Sequence, residues 1–448
     1  MSGLSEDKIA VLRQLVLTAP DPVIHGLESA FADDLSSIGP LASIRAMVEA
    51  EAADRTVRNT VLAPVQRLFG GVVQEGRLSF PRVALGMVWR GLKAGQPGLT
   101  RQAAMSLQGW NPDSHAAPEA FDVLCAQAAQ GLRDRAAPDF AAAAAACDGL
   151  MKDGATQLAT CLDLAPIVRP ALVRLSEWVQ RMTTERTAAV RLVYRDAVAV
   201  ADDAGPRFFE MLAGHMNEPW LILRIISAVM DRPTERYLAA SELAGFAERV
   251  LDDIDAKIGA VRGFELAGGV AAGRRAGAAV QCVVDQIAEF EETIQLAPGG
   301  PWHARISKQR KTLAVTVESR LKEVEDRLGE ALPLQSVRFG ARLVKGTPKL
   351  TDEPNALGVE RCSALLAFAD EVRACAANAG FGAVRNRVLE AIDKRLDLYI
   401  EDVLDRLRTG ETENPDLARR YLDIAAGLLG FCRDERAAQI VRRRAAAA

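Results

Sequence analysis

Histidine and aromatic side chains are scarce in this 448-residue chain: aromatics make up 5%, and the histidines are His25, His115, His215 and His303 alone. Successive histidines stand 88 residues or more apart, so no helix can present two of them to one metal ion, and a zinc site is disfavoured. The seven cysteines never form a CxxC pair, and their odd number in a large chain without an export signal excludes a disulfide framework and implies reduced thiols. The opening MSGLSEDKIA carries Glu6 and Asp7 where a secretory signal would be positive, and no apolar stretch follows it. The most apolar run, PWLILRIISAVM at 219–230, contains Arg224 and falls well short of the roughly 20 residues that span a bilayer. GxGxxG, GxxxxGK[ST] and GxSxG are all missing, which removes the usual sequence signs of dinucleotide, P-loop and serine-hydrolase chemistry.

What is present is ordinary globular material. Hydrophobic residues make up 49% and charged residues 25%, and the net charge of −4 creates no field that would draw the whole molecule to nucleic acid or anionic lipid. Arginine outnumbers lysine 45 to 10, which we read first as genome composition. At this length one hydrophobic core stops growing, so two or three helical units or one elongated array are expected.

Apolar residues recur at helical spacing almost everywhere. Val280, Val283, Ile287, Phe290 and Ile294 form one stripe, and Ile306, Leu313, Val317, Leu321, Val324, Leu328 and Leu332 form another. Between them LAPGGPW at 296–302 cannot continue a helix, so the pair predicts an antiparallel helical hairpin. Leu243, Phe246, Val250, Ile254, Ile258 and Val261 make a third stripe, and Leu389, Ile392, Leu396, Tyr399, Val403 and Leu407 a fourth. No apolar–polar alternation is long enough to argue for a sheet. The predicted fold is all-α: long antiparallel helices in a multi-helix bundle or elongated helical array. Turn clusters at 110–119 and 345–358 place expected boundaries, giving an N-terminal helical region 1–113, a central long-helix bundle 114–345 and a C-terminal helical region 346–448.

GGVAAGRRAGAAV at 268–280 looks at first like a phosphate cradle, but no strand precedes it. Its Gly269, Gly273 and Gly277 are spaced by four and share one helical face, as Gly259 and Gly263 do upstream. Each glycine costs a helix about 1 kcal/mol relative to alanine, and close approach of a neighbouring helix is the offset we expect. The other structural reading ends one helix at Gly268 and Gly269 and starts the next. Arg274 and Arg275 would be the contacts of an anion site.

DDID at 252–255 is similar to the DDxxD motif of all-α isoprenoid synthases but is one residue short; it reads otherwise as the polar side of an amphipathic helix. Two stretches are free of acid. Residues 76–112 hold Arg82, Arg90 and Lys93 beside Trp89, a combination that suits an anionic membrane surface, a nucleic-acid backbone or an acidic partner, or else a core helix with snorkelling arginines. In the second, 331–351, Arg338, Arg342 and Lys345 fall at i, i+4 and i+7, which on a helix is one face. HARISKQRK at 303–311 is followed by acids on the same helix and reads as solvated surface.

The expected protein is therefore a cytoplasmic, bacterial-type helical scaffold or adaptor that binds a protein partner without catalysis, metal or cofactor. A second reading is peripheral association with membrane or nucleic acid through Arg82, Arg90, Lys93, Arg338, Arg342 and Lys345. A third is an all-α enzyme acting on a phosphorylated or isoprenoid substrate through Asp252, Asp255, Arg274 and Arg275.

Overall fold

Twenty α-helices supply nearly all the regular structure in the computed structural model, which describes residues 6–32, 40–70, 77–114, 116–135, 137–339 and 343–448. Side chains are described for the same residues except 6–8, 32, 40, 41, 338, 339 and 343–345. The fold is all-α, as the periodicity predicts. It divides into two compact units, Met1–Arg232 and Pro233–Ala448. The loops at 110–119 and 345–358 lie inside these units.

The first unit contains α1 (Glu6–Thr18), α2 (Asp21–Ala32), α3 (Pro40–Val61), α4 (Ala63–Gln66), α5 (Arg82–Gly95), α6 (Pro97–Leu107), α7 (Glu119–Asp134), α8 (Pro138–Leu150), α9 (Gly154–Gln180), α10 (Thr184–Val198), α11 (Ala204–Gly214) and α12 (Ile222–Val229). A two-residue parallel pairing joins β1 (Phe69–Gly70) to β2 (Phe80–Pro81). Helices α5, α7, α8 and α9 pack on one another over buried Phe121, Leu124, Leu158 and Leu162. Two buried arginines close helix ends in this unit. The last carbonyls of a helix have no partner within it, and a cation there also suits the helix dipole. Arg55, 3% exposed, donates to the carbonyls of Val16, Leu17 and Ala19 beyond and within the end of α1, and pairs with Asp21 at 2.9 Å. Arg169 reaches from α9 to the carbonyls of Thr60 and Val61, at 3.1 and 2.8 Å, where α3 stops.

The second unit contains α13 (Glu235–Ala239), α14 (Ala244–Gly263), α15 (Gly269–Thr293), α16 (Pro301–Ala331), α17 (Ala356–Glu371), α18 (Gly382–Thr409), α19 (Pro415–Cys432) and α20 (Glu435–Ala447). All four predicted stripes are buried along their length, in α14 and the residue before it, in α15 and the residue after it, in α16 and the residue after it, and in α18. The hairpin of α15 and α16 turns where expected. Buried Glu235 pins its loop by accepting from the amides of Ala297 and Trp302 at 3.0 and 2.7 Å, which also caps α16. An edge contact of Phe290 with Trp302 and the Arg310–Glu291 pair hold the closed end. Along most of their length, however, α15 packs chiefly on α17 and α14, and α16 on α17, α14 and α18, more than the two pack on each other.

The glycines explain that preference. A β-carbon at Gly273 would lie 1.9 Å from the carbonyl oxygen of Ala364, and one at Gly277 would lie 2.4 Å from Cβ of Glu371, so α17 occupies space that any side chain would fill. Gly273 and Gly277 are thus spacers in a close crossing. Gly269 serves the other structural reading: its φ of +58° turns the chain from a short 3-10 turn into α15. Gly259 and Gly263 face open space instead.

One expectation fails here. Residues 334–339 and 343–348 are not helical: β3 (Leu334–Phe339) and β4 (Leu343–Pro348) pair antiparallel, Arg338 with Val344 and Lys345 with Val337. The i, i+4, i+7 helical face of Arg338, Arg342 and Lys345 therefore does not exist. Arg342 lies outside the described residues, as do the side chains of Arg338 and Lys345. Pro333 ends α16, Pro348 closes the second strand, and the β-branched and aromatic Val337, Phe339, Val344 and Thr347 favour the extended backbone between them.

The crossing makes a paired prediction. Gly273→Ala should destabilise the chain by about 3 kcal/mol, since backbone cannot yield as a side chain can, whereas Gly259→Ala on the exposed side of α14 should stabilise it by about 1 kcal/mol. Urea unfolding of both variants checks this; equal effects would remove the spacer role.

Candidate binding groove

Where α16 ends, the second unit opens into a groove. The last turns of α16 supply Leu328 and Leu332, and Pro333 then turns the chain into the hairpin, whose base adds Leu334, Gly346 and Pro348. Helix α18 forms the other wall with Arg395, Leu398, Tyr399, Glu401, Asp402 and Asp405. The space enclosed is about 330 Å³, at the small end of the roughly 300–1,000 Å³ typical of ligand sites and fitted to one or two apolar side chains. Leu334 and Leu398 stand at its lips, 51% and 72% exposed.

The charges on the α18 wall are largely engaged within the chain. Both carboxylate oxygens of Glu401 accept from Arg444 at 2.7 Å, Asp405 lies 3.5 Å from Arg408, and Arg395 donates to the carbonyl of Glu325 at 3.3 Å. The groove is accordingly apolar in character, with one polar group unaccounted for. Tyr399 is 5% exposed, and its hydroxyl is buried with no hydrogen-bond partner among the described residues. Burial, and secondarily the nearby Tyr421, push its phenol above the ordinary range, so it stays a neutral donor. An unsatisfied buried hydroxyl costs about 1–3 kcal/mol.

The residues singled out in the sequence are arranged otherwise. Arg82 is exposed, with no ion pair among the described residues, but Arg90 pairs with Asp139 of α8 at 3.1 Å and Lys93 with Asp54 of α3 at 2.9 Å. Trp89 is 3% exposed, with its indole N–H on the same Asp54, so it is not available to a surface. The stretch lacks acids only along the chain; other helices supply them. Arg274 and Arg275 are exposed without an ion pair among the described residues, and Arg275 edges a second cleft with Phe264, Glu265 and Ala272. The acids of DDID are occupied by cations: Arg305 pairs with Asp252 and Asp255, and Lys257 with Asp253. Among the described residues no three His, Cys, Asp or Glu side chains are grouped so as to hold a metal. The cysteines are free thiols, and burial pushes Cys125, Cys147 and Cys362 up to about 12, far from a reactive thiolate. No helix of the described residues is long and apolar enough to cross a membrane. Compared with family models, with curated proteins and with solved structures, the chain matches none.

The groove escaped sequence reasoning because its floor is the edge of predicted core stripes and its third wall is the unforeseen hairpin. Tyr399 reads as one more member of the α18 stripe. Only Leu398, a leucine immediately off that stripe, hints at a second apolar surface.

Of the histidines, His115 lies outside the described residues, His25 pairs with Glu28 at 3.3 Å, and His215 has a buried Nε2 with no partner among the described residues. Burial, with nearby Arg67, lowers the His215 pKa below its ordinary 6.5. Well above pH 6.5 the ring is neutral folded or unfolded and contributes no pH dependence. Below that the unfolded chain takes up the proton before the folded one does, so stability should fall with pH, and His215→Asn should flatten that fall. Thermal melts of both proteins across this range check it; parallel curves would contradict the assignment.

Proposed function

We propose that the chain is a non-catalytic helical binding protein and that the groove between α16, the hairpin and α18 receives an apolar segment of a protein partner. The observation that supports this reading is the pair of exposed leucines, Leu334 and Leu398, at the lips of an apolar, side-chain-sized groove. Helix grooves of this kind take anchoring side chains from partner segments, and the buried anchor carries most of the affinity. The internal pairing of Arg90 and Lys93 leaves the first acid-free stretch with less free charge than membrane or nucleic-acid association would use. The engagement of Asp252, Asp253 and Asp255 by Arg305 and Lys257 works likewise against diphosphate chemistry.

A displayed library of random peptides, selected on the folded chain, tests the proposal. Sequences bearing leucine, methionine or phenylalanine anchors should be enriched, and their binding should fall at least tenfold on Leu398→Asp, a substitution that changes stability by less than about 0.5 kcal/mol at so exposed a position. Absence of enrichment, or binding indifferent to Leu398→Asp, would overturn it.

A further inference from the structure

We infer that the cleft between the end of α14 and the middle of α16 is an anion site whose ligand is a soluble small molecule carrying a phosphate group. The cleft shares no lining residue with the groove proposed above and does not depend on its role. Lys311, Thr316, Ser319, Arg320 and Glu323 recur along one side of α16, and Arg262 joins them from the last turn of α14. Arg320 ties the two helices together at this level. Its guanidinium donates to the backbone carbonyl of Arg262 and, at 3.1 Å, to the carboxylate of Glu323, and it lies over the ring of Phe264, 5.0 Å from the centroid. The one carboxylate lining the cleft and a carbonyl at the end of α14, the groups that would repel an anion, are thereby both engaged.

What remains uncommitted is a set of donors. Arg262 and Lys311 are exposed, and their side chains have no ion pair or hydrogen bond among the described residues; the same holds for the hydroxyl of Ser319. Thr316 is an independent sign of a ligand. It is only 6% exposed, yet it does not return its hydroxyl to the carbonyl one turn back, as Thr312 does to Lys308 at 2.8 Å, nor give it to any other described residue. That hydroxyl keeps access to solvent, and the cleft is what it opens into. A guanidinium fork, an ammonium and two hydroxyls around one cleft offer more charge-assisted bonds than the two oxygens of a carboxylate use, and suit the three free oxygens of a phosphate monoester. The space, about 540 Å³, leaves room for a small organic body beside the phosphate, against Val315, which is 68% exposed. A nucleic-acid backbone or an anionic membrane would use a row of cations, whereas the two uncommitted ones here serve a single phosphate.

Glycerol 3-phosphate is the probe, titrated into the full chain at fixed ionic strength with the Val315 methyls followed by NMR and with glycerol as control. Three variants accompany it: Arg262→Gln with Lys311→Gln, Thr316→Val, and Arg274→Gln with Arg275→Gln, which removes the same charge from α15. Saturable binding is expected, with Kd raised roughly tenfold by the first variant and about threefold by the second, and unchanged by the third. Arg262 and Lys311 are exposed, so their double variant should melt with the parent chain. No saturable binding, equal binding of glycerol, or equal loss from both double variants would overturn the site, and none of these results touches the groove. A Kd unchanged by Thr316→Val would overturn the part given to its hydroxyl. Binding to vesicles of phosphatidic acid in phosphatidylcholine without binding of glycerol 3-phosphate would overturn the assignment to a soluble ligand.

Discussion

The close crossing of α15 and α17 is the constraint on which the second unit is built. Two missing β-carbons, at Gly273 and Gly277, let the backbone of α17 sit where side chains would ordinarily stand. The glycines cost α15 about 1 kcal/mol each in helix propensity, and the packing they permit is the offset. With α17 held there it packs against both α15 and α16, and α16 in turn packs against α18. The groove lies at the end of that sequence of contacts, between the last turns of α16 and the outward side of α18. Its shape is therefore inherited from a helix crossing elsewhere in the unit, while its lips, Leu334 and Leu398, remain exposed.

A second recurring interaction is the arginine that closes another helix. Arg55, Arg169 and Arg385 are each at least nine-tenths buried, and each donates to one or more carbonyls at the end of a helix to which it does not belong: α1, α3 and α17. The guanidinium, with several donors in a fixed fork, can satisfy two or three orphan carbonyls at once, which a lysine ammonium does with less geometric control. The excess of arginine over lysine, attributable from composition to the genome, has at these three positions a structural use. Spatial pairing likewise changes the meaning of the acid-free stretch around Trp89, since Asp54 and Asp139 arrive from distant parts of the chain to meet Lys93 and Arg90.

The all-α class, the four stripes, the turn at 296–302 and the spacer glycines were legible in the sequence because each is a local pattern with one dominant period. The hairpin at 334–348 was not. Its charges happen to recur at helical spacing, and period alone misled where Pro333, Pro348 and the β-branched residues between them should have decided. The groove was illegible for a different reason: periodicity tells which residues are buried but not which buried polar atom lacks a partner. Tyr399 fits the α18 stripe as well as Leu396 or Val403 does, and only the three-dimensional accounting of donors and acceptors sets it apart.

A high-resolution crystal structure of the chain with a selected peptide bound tests the proposed role of the groove most directly. An apolar side chain of the peptide is expected between Leu328 and Leu398, both of which line the groove. A peptide seated elsewhere on the chain, with the groove left empty, would contradict it.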